Sequence, residues 1–304
     1  MQLLPHIWKS IAALLLVALP TLLLKKFTYV SPDGVNQLAA QHDSTEVCYF
    51  LGSSRTRSNI NDSLMNQLAG AYRFRNLGLN AGTMLFNKVF AEKLFRFPGK
   101  KLLLVELSVI NARVPENYGH FFSDREVLNS LKPLMRDAKL RDTRHIFWPL
   151  FDRMLMKKIP LRDDVKELLR LGKPAYKEIG YEPQNGDMRD SSLCFLNTKK
   201  QLSEAIHPLY EKLTSELIRA ADKSGNRIVF FLSPAFLSQR ERAVLTEAYL
   251  RLPADNRVHF RSDFLTEMQD GSLYSDRSHL NRTGSSRFSI YLYSEIVRRG
   301  WLGK

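Results

Sequence analysis

The chain has 304 residues, 44% of them hydrophobic and 25% charged, so it is long enough to bury a large core. Its formal net charge of +14 favours anionic partners such as phospholipid headgroups, acidic glycans, teichoic acids or nucleic acid. Scattered basic residues without zinc-ligand spacing, an RNP-like aromatic motif or a long basic arm argue against nucleic acid, and two cysteines exclude a disulfide framework.

The amino terminus is predicted to anchor the protein in a membrane. An uncharged run over residues 10–24 is preceded by Lys9 and closed by Lys25 and Lys26. Allowing Lys9 to reach the interface gives about 22 residues, which is enough to cross a hydrocarbon core. The alternative is a cleaved signal peptide, but no small-x-small cleavage site stands before the lysines, which favours an uncleaved anchor over residues 1–26.

A strand followed by a helix start is predicted at residues 46–55. Residues 27–44 are polar, contain a Ser-Pro-Asp-Gly turn signal and are predicted to be a tether. The apolar strand that follows ends at Gly52, where Ser53 and Ser54 open a helix-compatible stretch. Such a serine lies at the carboxyl edge of a sheet and near the unpaired amides of a helix. The two serines are therefore either simple helix caps or part of a functional site.

The following segments alternate between helices and strands. Helices are predicted over residues 59–72 and, from an apolar stripe at helical spacing, over residues 83–97. A strand begins near Lys101. This alternation predicts an α/β fold with a parallel sheet.

The pattern loosens over residues 113–196, which are predicted to be a helical insertion. Amphipathic helices are expected over residues 124–140, 145–158 and 161–171, before a polar loop around 181–192. An insertion of this size between core strands suits a lid or a surface that docks an acceptor.

The core pattern resumes towards the carboxyl end. A helix with an apolar stripe over residues 202–217 precedes a strand at 227–234, a helix at 238–251, a strand at 257–260 and a last helix at 282–299. These elements complete a three-layer, doubly wound parallel sheet.

A carboxylate and an imidazole lie three residues apart just before the last helix. One short turn can therefore hold both Asp276 and His279, the acid and base that an activated serine needs. His120, His145 and His207 have no partner at ligand spacing and are interpreted as structural or surface histidines. No metal and no cofactor are expected.

Together, and in this order, the Gly-Ser-Ser turn and the Asp-x-x-His turn resemble the SGNH or GDSL superfamily of hydrolases and acyltransferases. In that family a strand ends in Gly-Asp-Ser, or Gly-Ser-Ser in some envelope-acting branches, and the last serine is the nucleophile. Carried over by position, Ser54 is the nucleophile, His279 the base and Asp276 its orienting acid. The resemblance covers residues 45–300 and implies a flavodoxin-like sheet within a catalytic domain over residues 45–304.

Two further blocks of the family concern the oxyanion hole. The fifth position after Asn76, where the family has glycine, is Ala81, and Gly82 follows one residue later. In the third block Ser108 replaces a glycine and the expected asparagine comes one residue late, at Asn111. The resemblance thus implies an oxyanion hole of Ala81 or Gly82 with Asn111, and losing one such donor costs about 10²- to 10³-fold in turnover.

Substrate and location follow from the same resemblance, to membrane-anchored polysaccharide O-acyltransferases, esterases and D-alanine transfer proteins. It implies an acyl-serine intermediate, an anionic or acylated envelope glycan as substrate, a membrane-bound acyl-donor partner and a periplasmic or extracellular body. The two lysines after the predicted span argue the other way, for a cytoplasmic body. Arg55 and Arg57, beside Ser54, are either solvated helix charges or contacts for an anionic acceptor.

Two other functions stay open from the sequence. The imperfect oxyanion blocks are compatible with a non-catalytic SGNH-like module that binds a glycan within a membrane assembly. A membrane-associated lipid esterase is the third hypothesis. Water as the acceptor would make the protein an esterase, whereas a sugar or polyol hydroxyl would make it a transferase.

Overall fold

The computed structural model describes residues 47–70, 72–79, 82–108, 124–137, 180–186, 188, 208–237 and 239–302. Within them lies a four-stranded parallel sheet with strand order β2-β1-β3-β4, surrounded by helices. The strands and helices are, in chain order, β1 (Val47–Leu51), α1 (Ser54–Asn59), α2 (Asp62–Ala69), β2 (Arg73–Asn76), α3 (Met84–Leu94), β3 (Lys101–Glu106), α4 (Asp124–Arg136), α5 (Pro208–Lys223), β4 (Arg227–Phe231), α6 (Gln239–Leu250), α7 (Ser262–Glu267) and α8 (Arg282–Arg298).

The sheet is covered on both faces. Every residue of β1 and β3 is buried, and because side chains alternate between the two faces of a strand, neither face is open to solvent. Helices α3 and α5 pack against each other, α3 packs against β1 and β3, and α5 packs against β4, whereas α8 packs on α1 and α2. The predicted parallel α/β sheet is therefore confirmed.

The register of the sheet places the functional residues at one edge. Leu51 pairs with Val105, and Glu106 pairs with Phe231, so β1, β3 and β4 end side by side. The residues that follow these strands meet at this carboxyl edge, where open α/β sheets bind their ligands.

Two predicted elements differ from the structure, and one strand was missed. The helix predicted over residues 59–72 is present but shorter, as α2 (Asp62–Ala69), because the chain breaks at Ile60 and Asn61 after α1, and Asn61 caps α2 by accepting from the Leu64 amide. The edge strand β2 was not predicted. The predicted strand at 257–260 is wrong, since only an isolated bridge between Phe230 and Arg257 forms there.

The predicted anchor (1–26), tether (27–44) and most of the insertion lie outside the described residues, including the helices expected at 145–158 and 161–171. No helix among the residues that are described has the length and hydropathy needed to span a bilayer.

Helix α4, which belongs to the insertion, is held to α3 and α5 by a buried ion network. Lys88, only 2% exposed, donates to the Ser130 carbonyl at 3.0 Å, lies 3.4 Å from Glu216 and pairs with Glu92.

Candidate active site

The turn after β1 presents two serines in different roles. Ser53 is the N-cap of α1 and its Oγ accepts from the Arg55 amide at 3.2 Å, whereas Ser54 is the first residue of the helix. Gly52 allows this turn, because a Cβ there would lie 1.8 Å from the Thr56 Oγ1 and 2.5 Å from the Glu106 Oε2. Any side chain at Gly52 would displace the groups that hold the serines.

Ser54, His279 and Asp276 form a continuous hydrogen-bonded relay. His279 Nε2 lies 3.0 Å from Ser54 Oγ, and His279 Nδ1 lies 3.0 and 2.9 Å from the two carboxylate oxygens of Asp276. The carboxylate favours the tautomer with a proton on Nδ1, which leaves the Nε2 lone pair facing the serine hydroxyl. The structure thus brings together the three residues that the sequence assigned to a triad, although 225 positions separate Ser54 from His279.

The turn that carries the acid and the base is closed on itself. Tyr274 and Leu280 form an antiparallel bridge at its base, and the Asp276 Oδ1 accepts from the amides of Ser278 at 2.6 Å and His279 at 3.0 Å. Partial burial by itself would raise the pKa of Asp276. The hydrogen bonds from the His279 ring and from these amides outweigh that effect, so the pKa of Asp276 lies below its ordinary value of 3.8.

The lowered pKa of Asp276 predicts a pH-dependent contribution to stability. The folded state binds this proton less tightly than the unfolded chain, so the stabilisation is complete above the unfolded pKa and is lost as pH falls through the lower folded value. Wild type should exceed Asp276→Asn in free energy of unfolding at pH 6, by a modest amount because the carboxylate is half-exposed. Denaturant titrations at pH 6 and pH 3 should show this difference in free energy shrinking at pH 3. A difference that stays constant would contradict a lowered pKa for Asp276.

A buried carboxylate that the sequence analysis missed supports the nucleophile turn. Glu106, with 0% exposure, uses Oε2 to accept from the Ser53 amide, the Ser53 hydroxyl and the Thr56 hydroxyl, each at 2.8 Å. Its Oε1 lies 3.5 Å from the Arg55 Nε, which partly balances the buried charge. The signal in the sequence was a lone acidic residue directly after the apolar run Leu102–Val105 of β3.

Both arginines beside Ser54 pair with carboxylates of the protein. Arg55 meets Glu106, and the Arg57 Nε lies 3.2 Å from a Glu182 oxygen. The Arg57 side chain is only 8% exposed, so its interpretation as a solvated helix charge is wrong. Contact of either arginine with an anionic acceptor stays a prediction.

Asn76, which opens the second family block, secures the end of α1. Its Nδ2 donates to the carbonyls of Thr56 at 2.9 Å, Arg57 at 3.2 Å and Ile60 at 2.7 Å, and its Oδ1 accepts from the Gly78 amide. The last carbonyls of a helix lack donors from a following turn, and the Asn76 side-chain amide supplies hydrogen bonds to three carbonyls there.

Gly82 lies directly against the nucleophile turn. A Cβ at this position would be 2.3 Å from the Gly52 carbonyl oxygen and 2.9 Å from the Ser53 Cα, so only glycine allows this approach. Its own amide donates to the Leu79 carbonyl at 2.9 Å. An oxyanion bound by the Gly82 amide would therefore have to share or replace that bond.

Of the other possible oxyanion donors, the structure describes only the Ser54 amide. The Ser54 amide belongs to the first residue of α1 and has no acceptor within the helix. Ala81 and Asn111 lie outside the described residues, and their oxyanion role stays a prediction. Among the residues that are described, no group of three or more His, Cys, Asp or Glu could hold a metal ion.

A segment within the predicted insertion, described at residues 180–186 and 188, contacts both α1 and the turn that carries Asp276 and His279. The Glu182 amide donates to the Arg57 carbonyl at 3.1 Å, and the Met188 amide donates to the Tyr274 carbonyl at 3.0 Å. The predicted insertion is thus hydrogen-bonded both to the helix that begins at Ser54 and to the turn that carries Asp276 and His279.

Comparisons with known proteins give little beyond this geometry. No protein-family model and no curated protein matches the chain. Among solved structures, the chain is similar to the crystal structure described as a possible lipase from Chitinophaga pinensis, with 10% sequence identity and a TM-score of 0.27. The likeness covers 84% of this chain and 99% of that one. A superposition this loose transfers neither a residue role nor an activity.

Proposed function

We propose that the protein is a serine-dependent acyl ester hydrolase or O-acyltransferase of the SGNH type that works through an acyl-serine intermediate. The observation that carries the proposal is the relay from Asp276 through His279 to the Ser54 hydroxyl. A serine, an imidazole and a carboxylate in this arrangement are the parts of an activated nucleophile.

In the first step the Ser54 Oγ attacks the ester carbonyl carbon while His279 Nε2 takes the hydroxyl proton. The tetrahedral intermediate places its negative oxygen near the Ser54 amide at the positive end of α1. When the C–O bond to the leaving alcohol breaks, His279 returns the proton to that alcohol. Asp276 stabilises the imidazolium throughout and does not itself take the proton.

In the second step His279 removes a proton from water or from an acceptor hydroxyl, which attacks the acyl-serine carbonyl. The Ser54–acyl bond breaks, and the serine recovers its proton from His279. Water gives hydrolysis, and a sugar hydroxyl gives transfer. The net charge of +14 and the predicted anchor favour an anionic envelope glycan as substrate. The family resemblance implies an acylated glycan, a membrane-bound acyl donor and a body outside the cytoplasm.

Labelling of the full-length, detergent-solubilised protein with a fluorophosphonate probe tests the proposal. The probe phosphonylates only activated serines, so wild type should be labelled and Ser54→Ala should not. Ser286→Ala, which changes a half-buried serine on α8 whose hydroxyl donates to the Arg282 carbonyl, is the matched control and should label as wild type does. Absence of labelling in folded wild type would favour the non-catalytic glycan-binding alternative.

A further inference from the structure

A single buried amide side chain links the nucleophile helix to the acid–base turn. Asn59, with 0% exposure, is the last residue of α1, the helix that Ser54 begins. Its Nδ2 donates to the Ser233 Oγ at 2.8 Å and to the Pro234 carbonyl at 3.1 Å, and its Oδ1 accepts from the Leu280 amide at 2.8 Å. Both donor hydrogens and the acceptor are therefore occupied.

These three partners belong to separate parts of the carboxyl edge. Ser233 and Pro234 follow β4, whereas Leu280 directly follows His279 and forms one half of the bridge that closes the acid–base turn. The Leu280 amide is thus fixed by the same helix that presents the Ser54 hydroxyl. A shift of this amide would change the distance between His279 Nε2 and Ser54 Oγ.

We infer that Asn59 is a positioning residue that sets the distance between the base and the nucleophile, an inference that rests on the proposed serine chemistry. Asn59 touches no reacting atom. Its Oδ1 holds the Leu280 amide, and its Nδ2 holds the loop after β4 at Ser233 and Pro234. Only an amide supplies an acceptor towards Leu280 and two donors towards the loop, so neither alanine nor aspartate can replace it.

The chain provides a close control. Asn226, 9% exposed and just before β4 at the opposite edge of the sheet, accepts from the Lys101 amide at 2.8 Å. Its Nδ2 donates to the Ser224 Oγ at 2.9 Å and to the Ser224 carbonyl at 3.3 Å. Asn226→Ala removes the same kinds of bonds as Asn59→Ala without touching the relay.

Hydrogen–deuterium exchange of the full-length protein tests the structural half of the inference without depending on activity. In Asn59→Ala the peptide that contains Leu280 should exchange at least about tenfold faster than in wild type or Asn226→Ala, because its amide has lost its acceptor. Equal exchange in Asn59→Ala and Asn226→Ala would overturn the inference, whether or not the protein proves to be an enzyme.

Labelling by the fluorophosphonate probe tests the functional half. Asn59→Ala should label about 10²-fold more slowly than Asn226→Ala, since misplacing a catalytic group by about 1 Å costs this much. Asn59→Asp keeps the acceptor for Leu280 but adds a negative charge that favours the imidazolium, so the pH midpoint of its labelling should rise, while Asn226→Asp leaves it unchanged. Faster exchange with unchanged labelling rate and midpoint would show a merely structural role and refute the assignment.

If wild type itself is not labelled, the proposed function fails, and Asn59 is then judged by exchange alone. Faster exchange at Leu280 in Asn59→Ala than in Asn226→Ala would still establish that Asn59 holds the turn that carries His279.

Discussion

Replacing His279 by alanine is expected to slow fluorophosphonate labelling of Ser54 by about 10⁴- to 10⁶-fold, the range over which loss of a general base disables a serine nucleophile. Without the imidazole at 3.0 Å, nothing accepts the proton of the Ser54 hydroxyl as it attacks. Asp276→Asn should cost about 10⁴-fold, because an amide side chain favours the wrong imidazole tautomer.

These effects should not add. Because the three residues act as one unit, the double variant His279→Ala with Asp276→Asn should label no more slowly than His279→Ala alone. His259→Ala is the matched control, since His259 is exposed and its backbone carbonyl, rather than its ring, accepts from the Tyr291 hydroxyl. Additive losses would mean that Asp276 does not act through His279, and an equal loss in His259→Ala would mean that His279 is not the base.

Replacing Glu106 is expected to give the second large effect, on both stability and activity. Glu106→Ala leaves the Ser53 amide and hydroxyl and the Thr56 hydroxyl without their buried acceptor and Arg55 without its counter-ion, which should lower the free energy of unfolding by about 3–5 kcal/mol. Glu106→Gln keeps the size but turns an N–H group towards one of the donors, and should cost about 1–3 kcal/mol.

The consequence for activity distinguishes Glu106 from an ordinary buried carboxylate. Because it holds the residue before Ser54, Glu106→Gln should slow labelling about 10²-fold under conditions where the variant is folded. Glu295, which is 1% exposed and paired with Arg298 on α8, is the control. Glu295→Gln should lose stability but label at the wild-type rate, and equal labelling rates in the two variants would remove Glu106 from the site.

The sequence predicted those parts of the fold whose residues carry a local signal. Strands β1, β3 and β4 are apolar runs bounded by turns, and the Ser54 and Asp276/His279 turns are short motifs. Strand β2 reads Arg-Phe-Arg-Asn, with a single apolar residue, and forms because it pairs with β1 along residues 47–50. Its existence depends on tertiary pairing that no local pattern expresses.

The supporting residues of the site could not be assigned for a related reason. Asn59 and Glu106 act through partners 221 and 53 positions away in the chain, respectively. An asparagine at a helix end and a glutamate at a strand end are each compatible with solvent exposure until the fold buries them. Ser54 and His279 were easier to single out because the proposed chemistry restricts the residue types that can serve as nucleophile and base.

The segment that contains Glu182 and Met188 limits how much of the predicted insertion can be exchanged. The amides of Glu182 and Met188 donate to the carbonyls of Arg57 and Tyr274, so this segment is part of the α/β body although it lies within the predicted insertion in sequence. A chimaera that exchanges the insertion for another one, to change the acceptor, should therefore keep this segment native and place its downstream junction before residue 180. A graft that replaces this segment would remove the hydrogen bonds that tie it to α1 and to the turn that carries Asp276 and His279.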